Sequence, residues 1–377
     1  MNAKSRAEQI LSKRGIAING PAASDMQVND ERMYDRVFSG GLCALGESYM
    51  DGWWDCADLS DFFAKVVKIN PNDLATVERV GVFIQSVRST TLNLQSKARA
   101  FQVGEQHYDI GNDLYERMLD KRMIYSCGYW KDAKDLDEAQ EHKLDLICRK
   151  IGLKEGDSVL DIGCGWGGLA LFMAQRYGAK VVGITVSKEQ AALARERTKG
   201  LPVEIRLQDW RDLGDETFTH IVSVGMFEHV GPKNYQEFFE KARGVLSDDG
   251  LFLLHTIGKN TDAILGEPWL DKYIFRNGVL PSAHQITTAM SRGAHTSALF
   301  VMEDWHNFGA DYDTTLMAWY HNIEKAWDAL PGYDERFRRM WRYYLLMCAG
   351  AFRSREVQLW QIVLSKQGVK GGYRSIR

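Results

Sequence analysis

The sequence lacks the features of a secreted, membrane-spanning or strongly cationic protein. Residues 1–19 mix charged and apolar side chains and contain no apolar core of a signal peptide. The longest stretch without Asp, Glu, Lys or Arg, Asn277–Ser291, is too short and too polar for a membrane span, which needs about 20 apolar residues. The formal net charge is only −3. This balance argues against a protein whose whole surface binds nucleic acid or anionic lipid.

Cysteine is sparse and follows no metal-binding or disulfide pattern. The six cysteines contain no CxxC pair and show no scaffold spacing. Neither a zinc site nor a disulfide framework is therefore supported. We expect free thiols, no metal ion and a cytoplasmic protein.

The chain changes character after about 100 residues. Residues 1–100 are predicted to form short helical pieces broken by Gly and Pro, as at Ser39–Gly41, and they contain no nucleotide motif. Further along, strands alternate with helices, which predicts an α/β catalytic domain over residues 101–377 with a doubly wound, mostly parallel sheet. The predicted strands are Ser158–Ile162, Lys180–Ile184, Val203–Leu207, Thr219–Val224, Leu251–Thr256 and Val357–Leu364.

A glycine-rich turn follows the first of these strands, in the segment VLDIGCGWGG at Val159–Gly168. Glycines at a strand-to-helix turn let the backbone approach a ligand and direct amide groups at it. Gly163, Gly165 and Gly168 also satisfy the GxGxxG spacing of dinucleotide sites, which by itself is a weak signal.

Three features favour S-adenosylmethionine (AdoMet) over NAD at this turn. Asp161 lies two residues before the first glycine, where a carboxylate can accept hydrogen bonds from an ammonium group. The second strand is followed by Thr185 rather than by the acidic residue that a dinucleotide ribose needs. The third strand is followed by Gln208, Asp209 and Trp210, suited to the edge and face of adenine. The predicted cofactor-binding residues are Asp161, Gly163, Gly165, Gly167, Thr185, Ser187, Gln190, Gln208, Asp209 and Trp210.

Several long segments, together with the glycine motif, resemble the cyclopropane-fatty-acyl-phospholipid synthases. They are ITVSKEQ (184–190), VGMFEHVGPKNY (224–235), LLHTIG (253–258), YIFRNGVLPS (273–282) and MEDWHNFGADYDTTLMAW (302–319). The resemblance extends to GLCALGESYMDGWW (41–54) and so covers the whole chain, similar to the longer bacterial form with an extra N-terminal domain.

The resemblance implies a class I methyltransferase fold with a seven-stranded sheet. It implies transfer of a methylene group from AdoMet to the cis double bond of an acyl chain in a membrane phospholipid, with bound bicarbonate as the base. Association with the inner face of the membrane and a homodimer are implied as well, and no nucleic acid is expected as a partner.

The resemblance also assigns site residues. The bicarbonate-binding set is Cys127, Glu228, His255, the backbone at Ile257, and Tyr312. A second group beside the cofactor is His107, Asn112, Tyr125 and Ser126. Cys348 lies on the apolar stripe of a predicted helix, Glu335–Ser354, and methyl transfer to an alkene needs no covalent enzyme intermediate, which favours a core cysteine over a nucleophile.

Two regions stand apart from these motifs. Thr287–Leu299 is longer than the family usually shows, which leaves the shape of the substrate mouth open. The segment Pro331–Arg377 carries ten Lys and Arg residues and three acidic residues, a net charge of +7. It is either a solvated face or a lipid contact through Arg338, Arg339 and Arg342.

Two other functions remain open from the sequence. One is an AdoMet methyltransferase that forms a methyl-branched lipid or methylates a small amine. The other is a non-catalytic lipid- or nucleotide-binding protein. A nucleic-acid methyltransferase fits less well, because the chain has no NPPY-type motif and no dominating basic domain.

Overall fold

The structure, a computed structural model, describes residues 2–68, 93, 95, 111–263, 266–291 and 298–377. The chain forms two compact units. The first comprises Met1–Leu92, Leu265–Arg276 and Tyr312–Val357, and the second comprises Asn93–Ile264, Asn277–Asp311 and Gln358–Arg377. These units differ from the predicted division at residue 100, because two later segments pack with the N-terminal one.

The first unit is mainly helical. Its hairpin pairs β1 (Gln27–Val28) with β2 (Trp54–Asp55) in antiparallel fashion. The chain bends within the second helix at Gly41, whose φ of 64° and ψ of −150° are not helical, at the end of the predicted break. Among the described residues, the helices of this unit are Ala3–Ser12, Arg32–Met50, Leu59–Val66, Pro268–Tyr273, most of Ala310–Ala326, and Glu335–Arg353.

The helix Glu335–Arg353 holds the later segment against the N-terminal one. A Cβ atom at Gly350 would lie 2.6 Å from the carbonyl oxygen of Ser60, so only glycine permits this close approach. The Tyr343 ring contacts Phe63 and Trp269, with ring centroids 4.9 and 4.5 Å apart. Burial of these aromatic rings supplies the apolar core of the unit.

The basic residues of this helix are engaged inside the first unit. Arg339 donates to the carbonyl oxygens of Tyr49 and Trp54 and pairs with Asp55 at 2.7 Å. Arg342 pairs with Glu324 at 2.6 Å, and Arg338 donates to the carbonyl oxygens of Trp327 and Tyr333. The lipid-contact hypothesis for these arginines therefore loses its support, because reversing their charges would disrupt the unit itself.

The second unit contains the predicted doubly wound sheet, which is confirmed. Its strands are β3 (Ser158–Ile162), β4 (Lys180–Thr185), β5 (Val203–Leu207), β6 (Phe218–Val224), β7 (Leu246–Lys259), β8 (Val301–Asn307) and β9 (Val357–Ser365). The seven strands lie in the order β5-β4-β3-β6-β7-β9-β8; β3 to β7 are parallel, and β8 and β9 pair antiparallel.

Helices cover both faces of this sheet. One apolar core joins the helices Leu136–Lys150 and Gly168–Tyr177 to the sheet. The other joins the helices Tyr235–Val245 and Ala283–Ser291 to the opposite face. The other helices in the part of this unit that the structure describes are Asn112–Met118 and Lys188–Arg197. Because β3 to β7 are parallel, their carboxyl ends meet at one edge, where ligands of open α/β sheets bind.

None of the helices in the described segments is long and apolar enough to cross a bilayer.

Candidate active site

The glycine turn between β3 and the next helix has the backbone shape that the motif predicts. Gly163, Gly165 and Gly167 have φ values of 88°, 54° and 77°, a region that favours glycine. At Gly163 a Cβ atom would also lie 2.7 Å from the Cβ of Met226, so a side chain is excluded for two reasons. The turn leads into the helix that begins at Gly168 and aims its first amide groups outward.

Asp161 is buried at the end of β3, beside a lysine that sequence reasoning missed. Burial raises the pKa of Asp161 to about 7, while the nearby Lys143 ammonium lowers it. Among the described residues, none hydrogen-bonds Asp161 Oδ2. A buried carboxylate oxygen of this kind is suited to a cationic ligand group.

The loop before the helix Leu136–Lys150 brings three predicted residues to the same place. Lys143 Nζ donates to Ser126 Oγ at 2.8 Å, and Gln140 Nε2 donates to the Ser126 carbonyl at 2.7 Å. A Cβ atom at Gly225, just after β6, would lie 3.8 Å from that of Ser126. The neighbouring Cys127 is buried, and Tyr125 packs edge-on against Tyr115.

The residues after β4 form one hydrogen-bonded group. Thr185 Oγ1 donates to Gln190 Oε1 at 3.0 Å, and Ser187 Oγ accepts from the Gln190 amide as the predicted helix cap. Gln208, after β5, joins them through its backbone N–H, which donates to the Thr185 carbonyl at 2.9 Å. Thr185, Ser187 and Gln190, three of the predicted cofactor positions, thus share one hydrogen-bond network, and Gln208 is bonded to it.

Asp209 and Trp210 are engaged by a neighbour. Both Asp209 carboxylate oxygens accept from Arg211 Nη1 at 3.1 Å, and the Arg211 guanidinium lies 4.3 Å from the centre of the Trp210 ring. Trp210 also packs against Phe238 in the core. Their predicted adenine contacts stay predictions, and the structure gives both residues a packing partner.

Glu228 follows β6, and His255 lies within the neighbouring parallel strand β7. His255 on β7 is the register partner of Val224 on β6, and the Gly225 amide donates to the His255 carbonyl at 2.9 Å. Glu228 lies in a short 3₁₀ turn after β6, and its Oε1 accepts from the Ile257 amide at 2.6 Å. Both side chains thus lie at the carboxyl edge of the sheet. The Ile257 amide is committed to Glu228, so it positions that carboxylate.

Each of these two side chains keeps one buried polar atom without a partner in the described chain: Glu228 Oε2 and His255 Nε2. Burial raises the pKa of Glu228 to about 7. It lowers the pKa of His255 well below its usual range, helped by Lys143, Lys150 and His306, so the ring is neutral. A buried polar atom without a protein partner can form a hydrogen bond with a ligand, so this pair of atoms is suited to binding one.

The other ring nitrogen of His255 is held by Gln361, a further residue that the sequence argument missed. Gln361 Nε2 lies 3.2 Å from His255 Nδ1, and Gln361 is fully buried on β9. Two signals were available. Gln361 is an amide within a predicted buried strand, and Lys143 lies at helical spacing between the apolar Ala139 and Ile147.

The other four predicted positions are Tyr312, Cys348, Asn112 and His107. Tyr312 belongs to the first unit, where it is buried and stacks on Phe352 with ring centroids 4.4 Å apart. Cys348 also belongs to the first unit, and burial raises the pKa of its thiol to about 12, which suits a core cysteine better than a nucleophile. Asn112 accepts from Trp166 Nε1 at 3.1 Å. His107 lies outside the described residues, as does part of Thr287–Leu299.

The fold and this edge of the sheet define the class of protein: an AdoMet-dependent class I methyltransferase. The family model of mycolic acid cyclopropane synthetase matches residues 95–362. The chain therefore belongs to the mycolic acid cyclopropane synthetase family.

Individual relatives agree with this family. The chain is 54% identical over 373 residues to the cyclopropane-fatty-acyl-phospholipid synthase of Escherichia coli K12, covering 98% of this chain and 95% of the relative. The solved structure of cyclopropane synthase MmaA2 from Mycobacterium tuberculosis is 29% identical with a TM-score of 0.65, covering 71% of this chain and 98% of that one. Mycolic acid cyclopropane synthase CmaA1, solved with SAH and CTAB, is 30% identical with a TM-score of 0.63 and the same coverage.

Proposed function

We propose that this enzyme transfers a methylene group from AdoMet to the cis double bond of unsaturated acyl chains in membrane phospholipids, with bound bicarbonate as the base. The observation that carries the proposal is the pair of partnerless buried atoms in the described chain, Glu228 Oε2 and His255 Nε2, at the strand edge that also carries the glycine turn. The name of the E. coli relative supports the substrate class.

The residues present fit a small oxyanion. His255 Nε2 can donate to it when it carries the ring proton, and Glu228 Oε2 can accept the hydroxyl proton of bicarbonate. Lys143 adds a buried positive charge close to Cys127, which acts electrostatically on its ammonium group. Bound bicarbonate would supply the base that takes the proton released before ring closure. Tyr312 is assigned to the same anion by the resemblance alone, and its role stays a prediction.

The chain's own residues then have two tasks. Asp161 and Ser126 orient the cofactor so that its sulfonium methyl faces the alkene. The alkene forms a carbon–carbon bond to that methyl while the carbon–sulfur bond breaks, leaving S-adenosylhomocysteine and a carbocation. An alkene is a poor nucleophile, so orientation and exclusion of water must supply most of the acceleration. Glu228 and His255 hold the proton acceptor in place.

The proposed activity gives a direct prediction. The protein, AdoMet and vesicles of unsaturated phosphatidylethanolamine or phosphatidylglycerol should yield cyclopropane acyl chains, measured by gas chromatography of the fatty acid methyl esters. Vesicles of fully saturated lipid are the matched control and should give no new product. A methyl-branched chain that retains all three methyl hydrogens would instead favour the rival methyltransferase. Cofactor binding without any lipid product would favour a binding protein.

AdoMet binding should depend on pH through Asp161. Its pKa of about 7 means that the carboxyl takes up a proton as the pH falls below that value, and the neutral acid pairs poorly with an ammonium group. We expect the Kd for AdoMet to rise by up to about tenfold per pH unit below pH 7, measured by calorimetry without lipid. Asp161→Asn should bind weakly with little pH dependence between pH 6 and 8. The exposed Asp215→Asn should behave as wild type, and an unchanged Kd in Asp161→Asn would contradict the assignment.

The remaining expectations rest on the resemblance. We propose a peripheral association with the inner face of the membrane, a homodimer, and an N-terminal helical region over residues 1–100 that makes the lipid or dimer contact. Sedimentation with and without vesicles tests the first two.

A further inference from the structure

Gln361 contacts the active-site histidine, His255, and this contact determines which ring nitrogen carries the proton. It lies on β9, whose residues are all buried, and its side-chain nitrogen is 3.2 Å from His255 Nδ1. The sheet places β9 directly beside β7, which carries His255. The His255 ring also meets Phe308 edge-on, with ring centroids 5.8 Å apart. Both packed neighbours limit how the ring can turn.

The chemistry of the two nitrogens then assigns the proton. An amide nitrogen carries hydrogens and no available lone pair, so it can only donate to the ring. With the amide nitrogen facing the ring, His255 Nδ1 accepts and is therefore unprotonated. The charged and titratable groups that act on the ring are Lys143, Lys150 and His306, and all three disfavour a second ring proton. A neutral ring with a bare Nδ1 carries its single proton on Nε2.

We propose that Gln361 is a positioning residue that holds His255 in the Nε2–H tautomer and so makes Nε2 a hydrogen-bond donor. Nε2 is an atom without a partner in the described chain. The inference rests on the proposed function only in naming what Nε2 serves, an oxyanion at the site. A histidine held in the opposite tautomer would present a lone pair to that anion and repel it.

The direct test needs no variant of Gln361. Nitrogen-15 NMR of histidine-labelled wild-type enzyme, with the His255 signals assigned by their loss in His255→Asn, reports which ring nitrogen carries the proton. We expect the proton on Nε2. A proton on Nδ1 would overturn the inference, because it would mean that the amide oxygen faces the ring.

Two variants at Gln361 extend the test to catalysis. Gln361→Glu places an acceptor at Nδ1, so we expect the proton to move to Nδ1 and kcat to fall by about 100-fold, with the Kd for AdoMet within about twofold of wild type. Gln361→Leu leaves Nδ1 without a partner, so both tautomers should appear and the loss should be intermediate. Gln358→Glu, on the same strand, is the matched control and should keep the wild-type tautomer and kcat. Gln361→Glu with full activity and a proton on Nδ1 would show that the tautomer does not matter.

The two proposals fail separately in these measurements. An Nε2 proton in an enzyme that makes no cyclopropane chain would overturn the proposed function and leave the Gln361 assignment intact. Cyclopropane formation by an enzyme whose His255 proton is on Nδ1 would support the proposed function and overturn the Gln361 assignment.

Discussion

Glu228→Gln is expected to lower the rate of cyclopropane formation by about 100-fold or more while AdoMet binding stays within about twofold of wild type. The amide keeps the size of the side chain, and its oxygen can still accept from the Ile257 amide, which lies 2.6 Å from Oε1 in the wild type. Its nitrogen, however, presents hydrogens where Oε2 offered a lone pair. The variant therefore cannot accept the hydroxyl proton of a bound bicarbonate.

The loss should not come from unfolding. Burial raises the pKa of Glu228 to about 7 from an ordinary value near 4.5, so its ionised form destabilises the folded state. This cost is absent below pH 4.5, grows as the pH rises, and reaches about 3 kcal/mol above pH 7. Glu228→Gln removes the cost, so at pH 8 it should unfold at a urea concentration at least as high as wild type.

The matched control for this experiment is Glu237→Gln, an exposed acid on the helix Tyr235–Val245. It should retain wild-type turnover. Wild-type turnover in Glu228→Gln would show that Glu228 takes no part in the reaction. A large loss of AdoMet affinity would show that Glu228 acts in cofactor binding instead.

Lys143→Met is expected to stabilise the protein and to impair the enzyme. Lys143 is fully buried, and burial lowers the pKa of its ammonium from 10.5 to about 8. The charged form is therefore disfavoured in the folded state, a cost of about 3 kcal/mol below pH 8 that vanishes as the pH rises towards 10.5. Methionine fills nearly the same space without a charge. The lost hydrogen bond from the ammonium group to Ser126 costs about 2 kcal/mol, which leaves a net gain of about 1 kcal/mol at pH 7.

The same substitution removes a positive charge from the edge of the sheet. Lys143 acts electrostatically on Asp120, Cys127 and Asp161. Without it an oxyanion beside Cys127 loses a favourable partner in a medium of low dielectric constant. We expect the bicarbonate concentration that gives half-maximal turnover to rise by about tenfold, and the maximal rate to fall because Ser126 is no longer held.

Two measurements check this prediction. Urea unfolding at pH 7 and pH 10.5 should show a gain for Lys143→Met that shrinks at the higher pH, and turnover should be followed against added bicarbonate. Lys134→Met removes an exposed lysine from the loop just before the same helix and should change neither. A less stable variant at pH 7 would show that the contacts of Lys143 outweigh its burial cost. An unchanged dependence of turnover on bicarbonate would show that Lys143 does not act on the anion.

The sheet could be predicted from the sequence because its evidence is local. Runs such as Ser158–Ile162 and Lys180–Thr185 are short and apolar, and glycine turns or capped helices bound them. The predicted and observed limits of these two strands agree within one residue, whereas the predicted strand Leu251–Thr256 is longer in the structure, as β7 from Leu246 to Lys259. β8 is not among the predicted strands, because Val301–Asn307 is an edge strand with mostly exposed or half-buried residues and so lacks an apolar pattern.

The sequence by itself determined the class of fold, the glycine turn and the acid before it, since each depends on residues close together in the chain. Only the tertiary structure decided which partners the site residues have. Lys143 meets Ser126 across 17 positions and Gln361 meets His255 across 106, and no local pattern encodes such pairs. The helix Glu335–Arg353 is likewise part of the first unit, where its arginines have their partners. Burial of its apolar face stabilises the folded chain more than exposure of that face to water would.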